Sequence, residues 1–172
     1  LGFNELWSKS LGVSAPYLYA GAINFIDLTE KQQQSTINYS TILTREFNLL
    51  GLNSVDFILS NNCIYVLEIN PRIPATYELY ETKHGDLIKE HTKACRTRKL
   101  TSAKVRRLLH AHAIVYAPGS IRVPTNFAWP LWTADRPHPG EIIGKYEPIC
   151  SVYGGGKSVA QVREMIHTRK KT

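Results

Sequence analysis

Asp56-Phe57-Ile58-Leu59-Ser60-Asn61-Asn62-Cys63-Ile64-Tyr65-Val66-Leu67-Glu68-Ile69-Asn70-Pro71-Arg72 is the stretch on which the fold turns. β-Branched and aromatic residues fill its two halves and asparagines break the middle. It reads as a hairpin, with strands over residues 54–60 and 64–70 around Asn61-Asn62-Cys63. With a two-residue loop, Asp56 would fall opposite Leu67, and both Asp56 and Glu68 would lie among apolar side chains. With a three-residue loop, Asp56 faces Glu68 and Ser54 faces Asn70. One face then carries Ser54, Asp56, Ile58, Ser60, Ile64, Val66, Glu68 and Asn70. The other carries Val55, Phe57, Leu59, Tyr65, Leu67 and Ile69 and is almost wholly apolar. A slip of one residue exchanges the faces. The three-residue loop is therefore expected, with Asn62 in the left-handed conformation that such a loop needs.

Carboxylates directly opposite one another repel, so something cationic should offset them. Asp56, Glu68 and the amide oxygen of Asn70 form an all-oxygen set. That set suits Mg²⁺, which keeps waters and binds phosphates beside one or two carboxylates. Either acid alone would read as a surface residue facing water. Three oxygen donors on one face, with Pro71-Arg72 behind them, favour a metal site.

The whole run of 22 residues from Gly51 to Arg72 resembles the end of an ATP-grasp domain, through Gly51-Leu52-Asn53-Ser54-Val55-Asp56-Phe57 and then Leu67-Glu68-Ile69-Asn70-Pro71-Arg72. The resemblance implies an enzyme that binds ATP between two α+β subdomains and activates a carboxylate as an acyl phosphate for attack by an amine. It assigns Asp56, Glu68 and Asn70 to Mg²⁺ and the β- and γ-phosphates. It assigns Arg72 to the transferring phosphoryl group or the acyl phosphate, as the catalytic residue. The implied partners are a nucleotide, a small-molecule carboxylate and an amine, and a homodimer is open to such a protein. Asn70-Pro71-Arg72 followed by Glu78-Leu79-Tyr80-Glu81 looks most like carboxylate–amine ligases of methanofuran and methanopterin assembly. The resemblance covers roughly residues 1–98. It departs from the family in one respect: the family's first half, with its phosphate-covering loop and phosphate-binding lysines, is not in this sequence. The expectation is one wall of a nucleotide cleft, which folds alone, binds ATP weakly and does not turn over.

The 172 residues are 43% hydrophobic and 20% charged, a globular balance. No apolar run approaches the ~20 residues of a membrane span. Cys63, Cys95 and Cys150 are odd in number and far apart, which points to free thiols and a cytoplasmic, reducing setting. The net charge of +7 and the pI near 9.4 suit an anionic partner without choosing one.

Along the chain, residues 17–28 read as a strand with a bulge at Gly21. Thr29 with Gln32 forms a capping box that opens a helix over residues 30–50. Tyr39, Leu43, Phe47 and Leu50 make its apolar stripe, expected to pack on the hairpin, and Gly51 stops it. A short helical stretch follows Pro74. Asp86 is expected to cap a second helix from Leu87 to about Cys95. Seven basic residues and no acid lie between Lys93 and Arg107. They read as a solvated linker, since no aromatic is interleaved for base stacking and nucleic acid is an unlikely partner. Residues 111–117 read as a strand on which His110 and His112 share a face, as surface residues without a third metal ligand.

Beyond Pro118 the chain is turn-rich, with Trp129 and Trp132 as packing centres. Gly154-Gly155-Gly156-Lys157-Ser158 lacks the spaced first glycine of a phosphate loop. It reads as a turn, with Ser158 capping a last helix over 159–167. The expected fold is α+β: an antiparallel sheet with packed helices over 1–100, then a small β-rich tail over 101–172. The rival readings are a basic nucleic-acid-binding module and a non-catalytic interaction domain.

Overall fold

The computed structural model describes residues 1–9, 17–61, 63–99, 105 and 107–171. It is a mixed α and antiparallel β structure, as expected. The chain divides into two compact units: Leu1 with Ile26–Arg107, and Gly2–Phe25 with Leu108–Thr172.

The single cut near residue 100 differs from this division, because the first strands join the second unit. β1 (Asn4–Lys9), β2 (Leu18–Asn24), β5 (Leu109–Tyr116), β9 (Pro148–Gly156) and β7 (Thr133–Ala134) form one antiparallel sheet in the order β1-β2-β5-β9-β7. Gly21 pairs with Ala113 and Ile23 with Ala111. Asn24, with no exposed surface, ties β2 to β5 through its side chain. It donates to Leu108 O at 3.1 Å and accepts from His110 N at 2.8 Å. A buried side-chain amide that binds both a carbonyl and an N–H at the start of the neighbouring strand fixes the register of a long-range pairing that local sequence does not specify.

The β1–β2 ladder shifts register between Trp7 and Ser8, which leaves Ala20 as the extra residue beside Gly21. Gly21 has φ +139°, and a Cβ there would sit 2.2 Å from His112 O. The expected bulge is real, and the neighbouring strand's backbone requires the glycine.

β9 runs through Gly154–Gly156, so the glycine run is strand and not a turn. Two of these glycines let α3 (Val159–Arg169) lie close: Gly154 faces Ile166, and Gly156 faces Val162. Ser158 caps α3 as expected, its hydroxyl accepting from Gln161 N at 3.2 Å. Two short strands, β6 (Ile121–Arg122) and β8 (Ile142–Ile143), pair beside a small core of Ala117, Val123 and Ile143, on which Trp129 packs. His112 is 4% exposed rather than on the surface, and its Nε2 lies 2.8 Å from Tyr19 Oη.

In the first unit, α1 (Glu30–Glu46) opens with the expected capping box. It ends earlier than expected, with Asn48 at φ +50° and Gly51 at φ +67°. The expected stripe does not form its buried face. Phe47 is 62% exposed, Tyr39 is exposed, and Thr36 is the only fully buried residue of the helix. α2 (Asp86–Thr97) also differs at its start. Asp86 lies in the first turn, and the carboxylate of Glu81 accepts from Leu87 N at 3.1 Å and Ile88 N at 3.2 Å. Among the described residues, no helix is long and apolar enough to cross a membrane.

Candidate functional site

The hairpin is β3 (Ser54–Ser60) and β4 (Cys63–Asn70), and its turn differs from the one expected. Ser60 pairs with Cys63, so the loop has two residues and Cys63 is in the strand. Asn61 is left-handed at φ +48°, while Asn62 lies outside the described residues. Near the turn the ladder therefore runs in the register first set aside: Leu59 with Ile64, Ile58 with Tyr65, Phe57 with Val66. Then it shifts between Asp56 and Phe57, and beyond the shift Asp56 pairs with Glu68, Val55 with Ile69, and Ser54 with Asn70. Leu67 is the extra residue, and it is 61% exposed. One bulge restores the acidic pairing that the longer loop was invoked to produce. It also exchanges the β4 residues nearer the turn between faces, so Tyr65 replaces Val66 on the acidic side.

The base of the hairpin is held from several directions. Asn53 Nδ2 donates to Leu50 O and Gly51 O, both at 3.1 Å, which fixes the bend into β3. Leu52 N donates to Nδ1 of His91, on α2, at 2.9 Å. Gly51 lies under that imidazole, where a Cβ would come within 2.4 Å of Nδ1. His91 thus positions the residues that lead to Asp56. The sequence reading passed over it, since no spacing rule links residue 91 to residue 52.

Asn70 is buried at the end of β4, and its Oδ1 accepts from Arg72 Nη2 at 3.1 Å. Asp56 is half-buried and Glu68 exposed. Burial first, and then the Glu68 carboxylate, raise the Asp56 carboxyl above its usual range, while Arg72 pulls it down. Charge on this face is therefore only partly compensated. Arg72 offers a guanidinium beside the amide oxygen, and the two carboxylates remain open to a further cation.

The donor set fits Mg²⁺ of the kind that phosphates help to hold. Among the described residues, no group of three or more His, Cys, Asp or Glu side chains forms a protein-only cage. Two carboxylates and an amide oxygen fall short of a cage, but Mg²⁺ is bound by such partial sets when phosphates and water complete it. The other sequence candidates lie on other elements. His110 and His112 lie in the second unit. Of the basic run, Lys93 and Arg96 are on α2, Arg98, Lys99 and Arg107 are exposed, and Lys104 and Arg106 lie outside the described residues.

Residues 4–76 match the ATP-grasp domain family. A protein of Methanocaldococcus jannaschii described as uncharacterized is 27% identical over 139 residues, which is 78% of this chain and 33% of that one. Phosphoribosylglycinamide synthetase from Anaerococcus prevotii shares the fold with a TM-score of 0.66 at 12% identity, over 96% of this chain and 46% of that one. An ADP complex of N5-carboxyaminoimidazole ribonucleotide synthetase does so with a TM-score of 0.58 at 15% identity, over 90% of this chain and 43% of that one. The chain spans about a third of the length of the archaeal relative and less than half of each synthetase. The likeness to the ATP-grasp domain family is thus to residues 4–76, and the fold is one that the chain shares with both synthetases.

Proposed function

We propose that this chain supplies the Mg²⁺- and phosphate-facing hairpin of an ATP-dependent ligase that joins a small-molecule carboxylate to an amine. The observation that carries the reading is the direct pairing of Asp56 with Glu68, with Asn70 and Arg72 at the same end of the ladder. The ATP-grasp match over residues 4–76 and the fold shared with an ADP-bound synthetase support it.

Asp56, Glu68 and Asn70 would hold Mg²⁺, which, when bound, neutralises charge on the polyphosphate. The protein's own work is positioning and electrostatics, as in phosphoryl transfer generally. The β3–β4 ladder sets Asp56 directly opposite Glu68. Arg72, tethered through Asn70, places a guanidinium where negative charge grows on the phosphoryl group or the acyl phosphate.

Glu68→Gln in the full-length gene product tests the reading. Mg²⁺-dependent ADP release should fall by about 10²–10³-fold, the cost of removing one such electrostatic group. Circular dichroism and thermal melting should stay as in the parent. Unchanged ADP release would overturn the assignment of the hairpin.

A further inference from the structure

The second unit holds a cavity of about 230 Å³ lined by its own residues. Its walls include Val123, Trp129, Trp132 and Ile149, and Arg169 and Lys170 stand along its lining at the end of α3. An apolar cavity of ~150 Å³ in a protein core takes up benzene. This one has room for an aromatic ring and a short substituent.

The polar groups that line the cavity are not all settled alike. The Thr133 hydroxyl donates to Pro130 O at 2.7 Å and accepts from Arg136 Nε at 3.0 Å. The Cys150 thiol is buried, and burial pushes its pKa up, so it stays neutral. The cations are different. Arg169 lies over the Trp132 ring at 5.2 Å and donates to Tyr153 O, both neutral partners. Partial burial first, and then the nearby charge of Lys9 on β1, lower the pKa of Lys170. Among the described residues, none of Lys9, Arg169 and Lys170 forms an ion pair with a carboxylate. Arg169 and Lys170, beside a mostly apolar wall and without an ion-paired carboxylate among the described residues, form half of a recognition site.

We propose that this cavity binds a small aromatic carboxylate, its ring against Trp129 and Trp132 and its carboxylate toward Arg169 and Lys170. Apolar contact supplies the affinity and the cations supply the choice of charge. A neutral ligand of the same shape would gain no charge-assisted contact with Arg169 or Lys170. The proposal stands whether or not the hairpin serves a ligase.

The experiment uses 4-phenylbutyrate as probe and 4-phenylbutanol as its uncharged counterpart. Tryptophan fluorescence and ¹H–¹⁵N chemical shifts of the whole chain are followed in each titration. Saturable quenching by phenylbutyrate is expected, with shifts gathered at Trp129, Trp132 and the end of α3. Phenylbutanol should bind at least about tenfold more weakly, the usual gap for a charge-assisted contact. Lys170→Gln, at an exposed position, should weaken phenylbutyrate alone. Equal binding of acid and alcohol, an unaffected Lys170→Gln variant, or no saturable response would each overturn the proposal.

Discussion

Asp56 stands across the β3–β4 ladder from Glu68, and Leu67, bulged out beside them, puts it there. The two-residue turn by itself would set Leu67 opposite Asp56 and scatter the acids over both faces. The bulge corrects the register three residues into β3, where the strand passes from its exposed end to its half-buried base. Bulges are common where a side chain must be re-aimed beside a functional site.

The strain of that pairing is measurable. The Asp56 carboxyl titrates above its ordinary value, through burial and then through Glu68. A carboxyl raised on folding holds its proton more tightly in the native state. Its contribution to stability is thus fully present below the unfolded pKa of 3.8, and it is lost as pH rises through the folded value. Asp56→Asn removes the charged form. It should raise the melting temperature at pH 7 and leave it nearly unchanged at pH 3. Millimolar Mg²⁺ should narrow the pH 7 gap, by offsetting the same repulsion in the parent. Equal effects at the two pH values would show that the pair carries no such strain.

Local chemistry was the readable part of the sequence. The Thr29–Gln32 capping box and the Ser158 cap are short-range devices, and both are found. The acidic pairing was readable because it needs only the alternation of two strands. The bulge was not, since one extra residue leaves the composition of the hairpin unchanged. Non-local pairing was hidden too. β1 has no pattern of its own, and it is a strand because β2, held to β5 by Asn24, offers it an edge. Gly154–Gly156 looked like a turn because glycine weakens strands in general. Here the close approach of α3 requires small residues, and that overrides the propensity.

The α1 stripe separates the two readings in one substitution. Were Phe47 a core residue, as its spacing with Tyr39 and Leu43 suggests, truncating it would cost about 3–5 kcal/mol. It is 62% exposed. Phe47→Ser should change unfolding free energy by no more than about 0.5 kcal/mol, measured by urea denaturation. A larger loss would mean that something covers this face of α1.

Gly21 should tolerate no side chain. Its φ of +139° is closed to other residues, and a Cβ would collide with His112 O at 2.2 Å, on backbone that cannot swing aside. Gly21→Ala should cost about 3 kcal/mol or more and open the β2–β5 pairing. Faster amide exchange at Ala111 and Ala113 would locate the damage. Preserved protection at those two amides would contradict the packing described for β2.

His112 gives the second unit a pH dependence of its own. Its imidazole is buried, Nε2 meets Tyr19 Oη, and Nδ1 has no hydrogen-bond partner. Burial lowers its pKa from 6.5 to about 4, against a smaller upward pull from Asp135. The unfolded chain therefore binds a proton between pH 6.5 and 4 that the native state refuses. Stability rises with pH across that window, is complete above 6.5, and is lost on acidification toward 4. A shift of this size corresponds to about 3 kcal/mol. His112→Leu should lower stability at pH 7, by removing the bond to Tyr19, while flattening the slope between pH 4 and 6.5. Urea titrations at pH 4.5 and 7 measure both effects. A slope that survives the substitution would assign the acid sensitivity to another group.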